Sequence, residues 1–522
     1  MESPKPQYQH FVPQFLLRNF SHPYKPAGGK KKGKRKDDNG LYYGESVVRA
    51  VDLATDLPVI CEKPIKRILG QINMYDDSTK PSKEQRRLEE LLGKFESQAA
   101  KVFSKILKAY ANHQGKMQEN PETTGGVCLT RSERDCIRKF LFILKYRGLD
   151  FHQRFNHETV ATYDSNDNEH VREYMSEKLY DRPLNVWLDN IKAIIDADRD
   201  TELGWGNDLP RRMYPDDAMW FFSHAQTYFM SICTPADPTD EFVLTDNSYN
   251  VFEGPNTFMR SKDTGDVEGS AHAPLHMFAP VSPKLMIVLR CYLLPSPLED
   301  ADDAVRKDRE KLRKISLDSV YGGGVLDKGL LGDLPVAKAQ NSYSTVVNGR
   351  LALLPGYDGK KRKDDRFFFN FFRISSRHVN TINSILLDNL GPSTSVVFET
   401  TATFARTLEW YLTAPCSLGK TIVRGMKGDQ KEESLRKLEI ISRSLGSTKK
   451  TVSSTLHVPL QDLGHEAIHE QWKATRWMWK KLVVDQDEAF KGYIKEMESP
   501  ECQHLMSYFT LGMSSTCVSW FG

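Results

Sequence analysis

Residues 367–390, FFFNFFRISSRHVNTINSILLDNL, constrain the fold more than any other stretch: an aromatic cluster that must leave water is followed at once by a helical pattern. Arg377, Asn380, Ser384 and Asp388 recur at steps of three and four, so a helix aligns them as one polar ridge. Val379, Ile382, Leu386 and Leu390 fall on roughly the opposite side, the pattern of an amphipathic helix with one face in the core. The ridge has two readings, a solvated or structurally hydrogen-bonded face and a set of ligands.

The chain has 522 residues, enough for about two to four domains with ample core and no need of covalent staples. Its eight cysteines, at 61, 128, 136, 233, 291, 416, 502 and 517, form no CxxC pair, so reduced thiols are the simplest expectation. The start, MESPKPQYQHFVPQF, lacks a basic region followed by an apolar run, and no window approaches the ~20 apolar residues of a membrane span. A soluble, intracellular protein follows, cytoplasmic with a nuclear location left open. With 72 basic and 69 acidic residues the net charge is +3, which gives no global attraction to nucleic acid. Two local basic runs stand out, GGKKKGKRKDDNG at 28–40 and DGKKRKDDR at 358–366.

Periodicity predicts helices over 84–110, 131–160 and 170–200, and a buried aromatic helix over 210–232 carrying Trp220, Phe221, Phe222 and Phe229. Residues 242–246 and 284–294 read as strands, 297–315 as a highly charged helix, and 444–454 as a break before a Trp-rich helical pair. The expected architecture is α+β and predominantly α-helical, with low strand content. It divides into a small mixed N-terminal part (1–200), a mixed central core (201–395) and a helical C-terminal region (396–522).

The opening run QYQHFVPQFLLRNFS has the form H-x-x-P-x-x-x-L-x-x-F at His10, Pro13, Leu17 and Phe20. It resembles the N-terminal signature of the domain of unknown function 4238 family, found in bacteria and fungi. The likeness continues in LYYGESVVRAVDLATDLPV, a short strand pair, in CEKPIKRILGQINMYDD, in LEELLGKFESQAAKVFSKIL, in DEFVLTDNSYNVF with APVSPKLMIVL, and in HVNTINSILLDNL, across roughly 8–395. Long insertions and a C-terminal extension lie outside it. For a fungal-type long member the resemblance implies terpenoid cyclisation. Read from its own surroundings, His10 is a packed, hydrogen-bonded histidine, since no acid or nucleophile stands beside it in sequence.

Asn380, Ser384 and Asp388 also resemble the Asn/Ser/Glu magnesium triad of class I terpene synthases. That chemistry needs an acidic partner wall, because magnesium bridges a diphosphate to two carboxylate-bearing sides. Asp237, Asp240 and Glu241 spell D-x-x-D-[DE], although Pro238 and the strand-like FVLTD depart from the helical family motif; Asp216-Asp217 is the alternative. Arg373 and Arg377 would grip the diphosphate, while Phe368 and Trp220, with the neighbouring phenylalanines, would shield a carbocation. The leading expectation is a Mg2+-dependent, diphosphate-eliminating cyclase of a C15 or C20 prenyl diphosphate. The alternative is a non-enzymatic interaction or nucleic-acid-associated protein using the basic loops at 30–36 and 360–363. Asp300-Ala-Asp302-Asp303 reads as a solvated helix, because its neighbours are nearly all charged. His465-Glu466-Ala467-Ile468-His469 matches H-E-x-x-H, the zinc-peptidase pattern, without an identifiable third ligand.

Overall fold

The computed structural model describes residues 5–457 except 27–39, 120–124, 164, 166, 198–208, 210, 255, 261–266, 273, 293, 296–301, 314–328, 348–349, 392–394 and 425–427. The strands that matter for the site are β1 (Ser46–Asp52), β2 (Gly126–Thr130), β3 (Tyr228–Pro235), β4 (Phe252–Glu253), β5 (His276–Ser282), β6 (Leu285–Cys291), β7 (Gln340–Asn341), β8 (Ser344–Val347), β9 (Arg350–Leu353), β10 (Arg366–Ile374) and β11 (Ser395–Phe398). The helices that cover the sheet are α1 (Arg87–Glu119), α2 (Arg131–Tyr146), α3 (Leu149–Phe155), α4 (Pro183–Asp196), α5 (Pro215–Gln226), α6 (Ser376–Asp388), α7 (Thr401–Thr413) and α8 (Gly428–Ser444).

Seven strands form one sheet in the order β7-β10-β3-β6-β5-β4, with β2 paired to β10. All pairings are antiparallel except β10 with β3. The first half of β10 pairs with β2 and β7, and its second half, from Phe371, pairs with β3. A second sheet of five strands holds β1 and β11 side by side, with Val59–Pro64 on the other edge of β1.

Successive side chains of the large sheet go to different cores, as the two-residue period of a strand requires. In β6, Leu285, Ile287 and Leu289 join the core under α1, α2, α3, α4 and α5, whereas Met286 and Val288 join the core under α6, α7 and α8. Met277 and Ala279 of β5 belong to the first core and Phe278 to the second. The result is a helix–sheet–helix sandwich whose sheet is covered on both faces.

That double coverage overturns the expectation of a predominantly helical chain with few strands. Strands buried on both faces have no apolar–polar alternation and read as continuous hydrophobic runs. All eight positions of β3 and all seven of β6 are buried. The run 210–232, expected to be one helix, is α5 up to Gln226 and then β3 from Tyr228. The aromatic cluster is β10, with Phe367, Phe369 and Phe371 buried while Phe368 is 40% exposed. The expected helical pair beyond 458 lies outside the described residues.

Other expectations hold. Residues 376–388 are the amphipathic helix α6, whose Ser375 cap accepts from the His378 amide. The strand pair after residue 41 is present as β1 with Val59–Pro64. The Asp302 side chain accepts from the Ala304 and Val305 amides and so caps a charged helix, Asp303–Arg313, whose described residues are mostly exposed.

The opening signature is a clamp. Gln9 donates to Asp76 (2.7 Å) and accepts from the Tyr75 amide (2.6 Å); His10 Nε2 meets the Ile65 carbonyl at 3.0 Å. Leu16, Leu17 and Phe20 are buried in the first core. Arg147, fully buried after α2, donates to the Phe11 carbonyl (3.0 Å) and to Glu96 of α1 (2.6 Å), tying the signature to both helices. Burial lowers the affinity of His10 for a proton, and the nearby Arg147 charge acts in the same direction. Removing one partner from a buried ion pair costs roughly 3–5 kcal/mol. Arg147→Ala should therefore lower the unfolding free energy by about that amount in urea titration, and an unchanged midpoint would show that the clamp carries no stability.

Candidate functional site

The expected ligand ridge does not stand on open space. Ser384 is fully buried and its Oγ has no hydrogen-bond partner among the described residues. Asp388 lies at the C-terminal end of α6, where Oδ1 accepts from the Tyr411 hydroxyl (2.7 Å), the Lys420 amide (2.7 Å) and Lys431 (2.6 Å). A Cβ on Gly419, which sits at φ +114°, would lie 2.3 Å from the Asp388 carboxyl carbon, so the chain closes tightly over this carboxylate. Asn380 is half-buried, and Arg377 is exposed and paired with Asp333.

The acidic segment does lie beside α6, but another residue joins them. Asn383 donates to the Glu241 carbonyl (2.8 Å) and accepts from the Val243 amide (3.1 Å). Glu241 turns its carboxylate to the Thr400 amide and hydroxyl, both at 3.0 Å, and so braces the start of α7. Asp237 is exposed and closes a turn onto Thr239; the Thr239 amide and hydroxyl hold its carboxyl below the ordinary range. Asp240 Oδ2 is buried without a partner among the described residues. Arg373 donates to the Ala236 carbonyl at 3.0 Å. Trp220 stacks on Phe151 at 5.0 Å under Lys145 and packs against the first core, whereas the apolar face of α6 belongs to the second. Magnesium would need free oxygen donors facing one another. This donor set, sealed at Ser384 and committed to cations at Asp388, does not fit it.

Asp216 and Asp217 begin α5 inside a polar network. Asp217 accepts from Tyr146 (2.6 Å) and Asn190 (2.9 Å), and Tyr214 donates to Asp216 (3.3 Å) and Asp167 (3.2 Å). Arg154 pairs with Asp167 and lies 3.9 Å from Asp217. Burial, then the Asp167 and Asp217 charges, push Asp216 up to about 7; burial, opposed by Arg154, pushes Asp217 to about 6. Asp217 is buried and Asp216 half-buried, at the start of a helix whose apolar residues belong to the first core, whereas those of α6 belong to the second.

Sequence reasoning missed a second buried network, because its members are scattered. His276 Nδ1 lies 2.7 Å from Glu253, and Arg290 donates to His276 Nε2 at 3.0 Å. Arginine has no acceptor, so the imidazole is neutral and its Nδ1 proton goes to Glu253. Burial lowers the affinity of His276 for a second proton. Arg290 also donates to the Leu331 and Gly332 carbonyls, at 3.3 and 3.1 Å, which ties the 331–332 segment to the sheet.

The arrangement with accessible chemistry is the basic loop ahead of β10. Thr130 caps α2 and forms a capping box with Glu133, which fixes Arg131 as the first helical residue. Arg131 donates from its backbone to the Asp365 carbonyl (2.7 Å) and from its guanidinium to Asp365 Oδ2 (2.6 Å) and the Arg362 carbonyl (3.0 Å). Asp365 accepts in addition from the Tyr357 hydroxyl (2.6 Å) and the Arg362 amide (2.8 Å). Burial would raise this carboxyl, but the Arg362 amide, Tyr357 and Arg131 overcome it and hold Asp365 below the ordinary carboxylate range. Tyr343 stacks on Tyr357 (5.2 Å), Arg134 lies over Phe367 (4.1 Å) and Arg362 over Tyr357 (4.8 Å).

Around this buried anchor Lys360, Lys361, Arg362, Lys363 and Arg366 are exposed, against the exposed carboxylates Asp358 and Asp364. Arg362 is engaged by Asp358 at 2.9 Å. A fixed loop that presents several cations loses less conformational entropy on meeting an anionic surface than a loose one does. The partner basic run at 30–36, and His465 and His469 of the zinc-type pattern, lie outside the described residues.

The chain is thus a mixed α/β protein with two large cores among the described residues and a hydrogen-bonded basic loop that leads into β10 of its main sheet. It belongs to the family described as protein of unknown function (DUF4238), whose model matches residues 8–400. No curated protein and no solved structure matches it. Among the described residues no helix is long and apolar enough to cross a membrane.

Two substitutions test these placements. In the folded chain Asp216 keeps its proton up to about pH 7, whereas the unfolded value is near 3.9. Its contribution to stability is fully present below about pH 4 and is lost as pH rises through 7. Asp216→Asn should flatten the fall in melting temperature between pH 5 and pH 8; an identical slope in variant and wild type would refute this. Asp388→Ala strands the Tyr411 hydroxyl and the Lys420 amide, and should lower unfolding free energy by about 2 kcal/mol. Unaltered stability would mean the carboxylate is not the structural tie described.

Proposed function

We propose that this chain is a non-enzymatic interaction protein that docks on polyanions through the loop at 357–366. The observation that carries this reading is the buried Arg131–Asp365 pair, 2.6 Å apart, which fixes the loop so that Lys360, Lys361 and Lys363 face solvent. Backbone phosphates or sulfates are recognised by clustered cations without regard to sequence. Global charge balance does not oppose this, because the attraction is local and acts within about 10 Å at moderate salt.

Cyclisation of a prenyl diphosphate with magnesium has less support. Its ridge is sealed at Ser384, Asp388 is held by Lys431 and Tyr411, Trp220 packs against the first core while the apolar face of α6 belongs to the second, and Phe368 is exposed.

The experiment is a binding titration of the full chain against a single-stranded oligonucleotide and against heparin, over a range of salt. Wild type should bind with an affinity that falls linearly in log–log form with salt. The triple variant Lys360→Glu, Lys361→Glu, Lys363→Glu should bind weakly, with a slope smaller by roughly 2–3. No binding by wild type at low salt, or an unchanged slope in the variant, would overturn the reading. Product from farnesyl or geranylgeranyl diphosphate with magnesium, abolished in Asp388→Ala, would favour the cyclase instead.

A further inference from the structure

We infer that the polyanion met by the basic loop is a single-stranded nucleic acid, one of whose bases stacks on Phe368 of β10; this deepens the docking function proposed above and rests on it. Phe368 is a bare aromatic ring on an open stretch of sheet. Phe367, Phe369 and Phe371 of β10, with Val127 and Leu129 of β2, go to the first core. The two-residue period of a strand sends Arg366, Phe368, Asn370 and Phe372 to the other face. There the second core holds Ile374 and packs against Phe372, while Arg366, Phe368 and Asn370 lie outside it. Phe368 is thus left 40% exposed, although taking a phenyl ring out of water is favourable.

The surroundings of the ring suit a base. Phe368 pairs with Cys128 of β2 on one side and with Gln340 of β7 on the other, and both are exposed. Diagonally across, opposite Asn370, is Gly126, and the ring Cζ lies 2.8 Å from where a Cβ at 126 would stand. The absence of a side chain there leaves room for the ring to lie over β2. Arg366 is exposed on the same face, about 7 Å along the strand from Phe368, and directly follows the run of Lys360, Lys361, Arg362 and Lys363. A strand that rests a base on Phe368 therefore carries its phosphates to the loop cations, which is the combination of stacking platform and cationic track that single strands require. The amides of Gln340 and Asn370 border the ring and can meet base edges. Tyr343 and Tyr357 do not compete for this role, because they stack on each other. A duplex keeps its base faces covered by neighbouring pairs, and a sulfated sugar has no aromatic face, so neither makes use of Phe368.

The test is a titration of the full chain with a single-stranded oligonucleotide, a duplex of the same sequence and heparin, at matched salt. Wild type should bind the single strand more tightly than the duplex. Phe368→Leu keeps an apolar side chain beside Gly126 and removes the ring; with an unchanged circular dichroism spectrum it should bind the single strand roughly tenfold more weakly, while its heparin affinity and the salt slope stay the same. Phe368→Tyr should keep the wild-type affinity. Single-strand affinity unaltered in Phe368→Leu, an equal loss on heparin, or duplex bound as tightly as single strand would overturn the stacking inference and leave polyanion docking standing. Heparin binding without oligonucleotide binding would do the same. Absence of binding to any of the probes would remove both.

Discussion

The Arg131–Asp365 ion pair is the contact on which the arrangement of the basic loop depends. Both side chains are buried, and their separation of 234 positions in sequence means that the pair exists only when α2, β2 and β10 have come together. A buried pair of this kind adds little net stability over an apolar substitute, yet losing one member is costly. Its consequence here is geometric. The Arg131 guanidinium, the Arg362 amide and the Tyr357 hydroxyl all end on the Asp365 carboxylate, and Lys360, Lys361 and Lys363 are left exposed.

The scaffold behind that loop is a sheet shared by two cores. β10 joins its parts: one half is paired to β2 and β7, the other runs parallel to β3, and Phe367, Phe369 and Phe371 go to the first core while Ile374 goes to the second. Covering both faces of the sheet commits its strands to near-continuous apolar sequence. It also places the polar interior groups where burial decides their protonation, so that Asp216 and Asp217 bind protons near neutrality and His276 stays neutral between Glu253 and Arg290.

Much of the local structure was legible in sequence. The amphipathic pattern after Ser375 located α6, the signature around His10 pointed to the family, and the same family resemblance marked β1 and its partner as a strand pair. The strand at 284–294 was legible as β6, but the full strand content was not, because β3 and β5 lack the alternation that distinguishes a strand from a buried helix, and a helical start signal at Pro215 masked the strand that follows Gln226. The ridge of Asn380, Ser384 and Asp388 was correctly spaced for a helix face, but spacing says nothing of what packs on that face; Ser384 and Asp388 meet packed core and lysine. The basic run at 358–366 was visible as charge. Its anchoring was not, since the partner Arg131 belongs to a distant helix N-terminus.

The most direct measurement removes the anchor while making the loop more positive. Asp365→Asn deletes a negative charge beside the lysines, so charge counting alone predicts tighter binding to a polyanion. An anchored loop predicts weaker binding, because Arg131 loses its ionic partner, one of the two oxygens shared by Arg131, Tyr357 and the Arg362 amide becomes an NH2 donor, and the lysines lose their fixed positions. Heparin affinity of the folded variant falling several-fold below wild type, at matched salt and with an unchanged circular dichroism spectrum, is the outcome expected here. Affinity equal to or above wild type would contradict it.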